Sequence, residues 1–180
     1  MRIGKSVLVL TAGMLAAFGV MGTAGIAGPT GMIRLTDMSG VNVDLAVHQV
    51  TVTPVRAYVG DKIRVDIVVE NKGEGSDTTN AELYANGKRV GRQLFTWGPD
   101  PGKRLYRLSF DWDTRGLPPG EYKIRAEAFV SRDTSPFDNE LKVRQPVVLV
   151  PSGGKFPGGE TAGGSATETD PQFDAKRLGG

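Results

Sequence analysis

A period of two recurs along this chain after residue 43, in a sequence without cysteine. In "DKIRVDIVVE", Ile63, Val65, Ile67 and Val69 fall on one side, and Arg64, Asp66, Val68 and Glu70 on the other. Successive strand side chains point to opposite faces, so this is the pattern of a strand with one buried face. "LYRLSFDW" repeats it with Tyr106, Leu108, Phe110 and Trp112, and "EYKIRAEAFV" with Tyr122, Ile124, Ala126, Ala128 and Val130. No segment beyond residue 43 carries the period of an amphipathic helix. With no disulfide available, the apolar faces must be buried against one another, and packing alone holds the fold.

The breaks between strands carry their own geometry. In "VDLAVHQVTV", Val43, Leu45 and Val47 share one face, then Val50 and Val52 take it over; a bulge between His48 and Gln49 accounts for the change of parity. Asn86-Gly87 sits between two short runs and predicts a type I′ hairpin, whose two central residues need positive φ. Leu141 and Val143 continue an inward face until Pro146, which removes a ladder donor and predicts an edge or a bulge. About seven such strands imply an all-β fold, an antiparallel immunoglobulin-like β-sandwich over residues 43–150. Residues 28–42 read as a lead-in. The Gly-rich segment 151–180 is too poor in apolar residues to offset the entropy of ordering and is expected to be disordered.

Arg2 and Lys5 precede an apolar run from Val7 to Val20 and a small-residue site at Gly25-Ile26-Ala27, which predicts a signal peptide over residues 1–27. The rival reading is an uncleaved N-terminal anchor, the chain's one expected contact with a membrane. Either way the domain is expected to be exported, to the periplasm, the cell surface or the exterior. The formal charge is +2, but without Arg2 and Lys5 the chain carries 20 basic residues against 20 acidic ones, so a nucleic-acid partner loses its main support and none is expected.

In their order, "VDLAVHQVTVTP", "VGDKIRVDIVVENKGEG", "AELYANGKRVG" and "LSFDWDTRGLPPGEYKIRAEA" resemble CARDB, the cell-adhesion-related domain found in bacteria. The resemblance covers nearly all of residues 43–150. It implies an immunoglobulin-like sandwich used as a spacer, an adhesive unit or an assembly partner.

Catalysis has little to work with: one histidine, no thiol and no nucleophile elbow, so no enzyme activity and no cofactor is expected. Asp133, Asp138, Asn139 and Glu140 offer oxygen ligands for calcium, but their spacing fits no EF-hand and an ordinary solvated turn is the reading kept. Trp112 reads as core and Tyr122 as a tyrosine corner. Trp97, at the mouth of "FTWGPDPGK", is either a plug at the end of the sandwich or an exposed platform for a sugar. With Tyr122, Ile124, Leu141 and Val143 inward, Lys123, Arg125, Lys142 and Arg144 point out, and Arg89 joins them from the hairpin. These residues make a candidate basic face, opposed by cross-strand pairing with Glu82 and Glu127. The sequence thus predicts a non-enzymatic interaction module with an envelope or extracellular protein partner. The alternative is a small carbohydrate-binding module whose exposed aromatics are Trp97 and Tyr84.

Overall fold

The computed structural model describes residues 41–100 and 102–172. The expected signal peptide, most of the lead-in and residues 173–180 lie outside them.

The described residues carry eleven strands: β1 (Leu45–Thr53), β2 (Arg56–Tyr58), β3 (Lys62–Asn71), β4 (Asp77–Ala85), β5 (Lys88–Trp97), β6 (Leu105–Asp113), β7 (Gly120–Tyr122), β8 (Ile124–Phe129), β9 (Glu140–Lys142), β10 (Val147–Val150) and β11 (Ala166–Thr169). Two four-stranded sheets, ordered β11-β1-β3-β6 and β5-β4-β8-β9, close over one apolar core, and β2-β10-β7 form a small third sheet. The seven expected segments are all present. Three of them switch sheets midway: β1 gives way to β2 after Pro54, β7 to β8 at Lys123, and β9 to β10 at Pro146. Pro146 therefore marks the passage from one sheet to another.

The inward sets match the alternation. Ile63, Val65, Ile67 and Val69 on β3 meet Leu83 and Ala81 on β4, Ala126 and Ala128 on β8, and Phe110 and Trp112 on β6 in one core. The bulge falls where the parity changes, as a register shift between Val47 and Gln49 against β3. Asn86 and Gly87 take φ of 48° and 78°, the left-handed pair that the hairpin requires. The Tyr122 hydroxyl donates to the Pro118 carbonyl at 2.6 Å and its ring meets Trp112 edge-on, the tyrosine corner in place.

The segment 151–172 differs from the expectation of disorder. It makes a 3-10 turn at Pro157–Gly159 and then β11, which pairs antiparallel with β1 from Gln49↔Thr169 to Val52↔Ala166. Composition missed this because the order is templated: the β1 edge presents free ladder groups, and the tail fills them. Phe156, buried against Tyr58 at a ring separation of 5.3 Å, gives the segment an apolar anchor.

Candidate functional site

On β4, the buried residues Ala81, Leu83 and Ala85 alternate with Asn80, Glu82 and Tyr84, which face outward. Register with the neighbouring strands sorts the outward residues of this sheet into three bands. Tyr84 pairs with Arg89 and Arg125, and Arg125 with Lys142. Glu82 pairs with Arg92 and Glu127, and Glu127 with Glu140. Asn80 pairs with Leu94 and Phe129, whose side chains are 64% and 59% exposed.

The cationic and acidic bands neutralise each other. Arg89 Nη1 donates to Glu82 Oε1 at 2.7 Å, and Arg125 Nη1 donates to Glu127 Oε2 at 2.8 Å and also to Glu140. Lys142 Nζ lies 2.7 Å from Glu140 Oε1. The hydrogen bond from the Tyr84 hydroxyl, with help from Arg89, holds the Glu82 carboxyl below its usual range against the effect of burial, and the same bond raises Tyr84. Burial opposes the charge on Glu140, but hydrogen bonds from Lys142 and Arg125 outweigh it and lower that carboxyl too.

The candidate basic face is therefore redrawn. Arg89, Arg125 and Lys142 share the outer face, but each is paired with a carboxylate. Lys123 stands at the break between β7 and β8, where its backbone amide donates to Asn86 Oδ1. Arg144 lies past β9 and its Nε is 3.3 Å from Glu168 on β11, away from the bands. Trp97, 2% exposed, is a core plug and cannot serve as a sugar platform.

The remaining candidates hold the scaffold. His48, 2% exposed, has Nε2 2.5 Å from Glu70 Oε2 and Nδ1 3.5 Å from Asp170 Oδ2, so it is a satisfied buried histidine, closed to substrate. The calcium-type set regroups. Glu140 joins the outer face, Asn139 is buried, and Asp44 comes in beside Asp133 and Asp138, with carboxylate oxygens within 4.8 Å of one another. Asp133 accepts the backbone amides of Leu45 and Ser135, and Lys72 Nζ sits 2.6 Å from Asp138 Oδ2. Burial, then the charges of Asp138 and Asp133, raise the Asp44 carboxyl. This arrangement fastens the loop before β9 to the start of β1.

Leu94, Asn80 and Phe129 were not singled out from the sequence, yet parity marked two of them. With Phe95 and Trp97 inward, Leu94 must point out; with Ala128 and Val130 inward, so must Phe129.

The CARDB family model matches residues 42–130. Among solved structures, the crystal structure of the CARDB domain of the PF1109 protein from Pyrococcus furiosus, in complex with di-metal ions, is 22% identical. It covers 61% of this chain and 96% of its own, with a TM-score of 0.47. The solution NMR structure of the same domain gives the same identity and coverage, with a TM-score of 0.48. No curated protein matches the sequence. Residues 42–130 form a CARDB domain, one of a family of non-catalytic domains.

Proposed function

We propose that this chain is an adhesion-related interaction module, exported and non-enzymatic, that holds an envelope or extracellular partner on the outer face of the β5-β4-β8-β9 sheet. The observation that carries this reading is the pair Leu94 and Phe129. Both are exposed large apolar side chains, and both pair with Asn80 in one row across three strands. Isolated surface hydrophobes are ordinary, whereas apolar groups aligned on one face and rimmed by polar residues are the anatomy of a contact surface. The paired Arg and Glu bands beside them supply such a rim. Export rests on the N-terminal composition, and absence of catalysis on the family and on the closed setting of His48.

The test is recovery of partners from the protein's own envelope fraction, comparing the wild type with the Leu94→Asp/Phe129→Asp double variant. Specific recovery should fall at least tenfold. Equal recovery by both proteins overturns the assignment of this face.

A further inference from the structure

A shallow hollow opens on the same face, lined by Thr79, Asn80, Glu82, Glu127 and Phe129. We infer that it is a saccharide subsite, and that a neutral, extended glycan chain lies along the Leu94–Asn80–Phe129 row. This inference rests on the reading of the outer face as the contact surface and names the class of ligand it takes.

Three features of the hollow converge on that chemistry. The Phe129 ring is 59% exposed, so its face is available to the C–H face of a sugar ring, an apolar patch on an otherwise hydroxylated molecule. Asn80 sits in the middle of the row, and its side-chain amide has no hydrogen-bond partner among the described residues. An amide both donates and accepts, as a sugar hydroxyl does, so the two are matched.

The third feature is the pair of carboxylates. Glu82 and Glu127 are register partners on neighbouring strands, a placement that sets like charges directly opposite. Both are held by fixed donors: Glu82 by the Tyr84 hydroxyl and Arg89, Glu127 by Arg125. Held in this way they remain acceptors with lone pairs to spare, and neighbouring hydroxyls on one ring supply two donors. Because the cations cancel their charge, the hollow offers acceptors without net charge. That suits a neutral polyhydroxyl ligand better than a metal ion or an acidic polymer.

Dimensions agree with a chain lying across the sheet. Leu94 on β5 and Phe129 on β8 are separated by two strand spacings, about 9–10 Å. That is the separation of a ring from the next but one in an extended glycan, so that one ring lies over each apolar side chain and the ring between them lies over Asn80. The hollow is open, so a polymer passes over it without needing a free end.

The inference is tested by native gels cast with dextran, glucomannan or arabinoxylan. The wild type should be retarded by at least one of them, with affinity at least tenfold weaker in Phe129→Ala and in Asn80→Ala. Phe137→Ala, altering an aromatic 95% exposed on the loop before β9, should match the wild type. Circular dichroism checks that each variant is folded. No retardation by any neutral polysaccharide overturns the saccharide inference, as does retardation that Phe129→Ala and Asn80→Ala leave unchanged. Retardation by heparin or polygalacturonate alone overturns it in favour of an anionic ligand. In each of these cases, envelope recovery that still depends on Leu94 and Phe129 leaves the contact face standing with another partner. Recovery independent of them removes both.

Discussion

The Arg125 guanidinium lies over the ring of Tyr84, its central carbon 4.0 Å from the ring centroid. The two residues are register partners on β8 and β4, and the same guanidinium bonds Glu127 and Glu140. A planar cation thus joins three strands at once: stacked on β4, paired along β8, and bonded across to β9. Lysine has neither the plane to stack nor the fork to divide between two carboxylates.

Arg125→Ala should lower unfolding stability by about 1–2 kcal/mol, the scale of a partly desolvated cation–π contact. Arg125→Lys should recover less than half of the loss. Urea unfolding measures both, and wild-type stability in the lysine variant would show that charge alone matters there.

Gly91 is a second point of close approach. A Cβ added there would stand 2.7 Å from Phe110 Cδ1 and 3.4 Å from Leu83 Cβ, against two side chains of the core. Gly91→Ala should therefore cost about 1–3 kcal/mol through overpacking. A crystal structure of the variant should show the Phe110 ring displaced.

The carboxylates predict opposite responses to pH. The Glu82 carboxyl, held below its usual 4.5 chiefly by Tyr84, has a folded-state value beneath its unfolded one. Its contribution is present above the unfolded value and lost as pH falls through the folded value. Glu82→Gln should destabilise at pH 7 and have little effect at pH 2. Asp44 is raised above 3.8 by burial and by Asp138 and Asp133, so its ionised form costs stability at neutral pH and protonation relieves that cost. Asp44→Asn should stabilise at pH 7, with a gain that shrinks as pH falls through the folded value. Urea midpoints at pH 7, 5, 3 and 2 compare the two variants directly.

Truncation after Val150 removes β11 and Phe156 together. The β1 edge is then left open, and Tyr58 loses its ring neighbour. Loss of the Phe156 burial alone is worth about 1.5–3 kcal/mol. Hydrogen exchange at residues 49–53 should accelerate and the truncated chain should associate through its exposed edge. Unchanged exchange there would mean that the tail does not protect β1.

The residues differ in how much of their role was legible. Ile63 to Val69, Tyr106 to Trp112 and the Asn86-Gly87 turn announced their places because each is fixed by local alternation or by a backbone angle. Arg89, Arg125 and Lys142 were placed on the outer face by the same parity. Their neutralisation was not legible as an arrangement, since Glu140 reaches Arg125 only because β9 lies beside β8 at one particular register. Trp97 was ambiguous for a similar reason: a residue at the end of a strand is plug or platform according to what closes over it.

Local alternation and turn residues were enough to specify a β-sandwich, its seven main segments and the buried side of each. These properties depend on side-chain alternation and on φ at single residues. Long-range pairing was needed for three strands to change sheets, for a Gly-rich tail to become the fourth strand of a sheet, and for scattered Glu, Arg, Leu and Phe residues to line up as bands. The physical reason is that strand order and register are set by long-range pairing, which brings together residues such as Val52 and Ala166 that no local pattern connects.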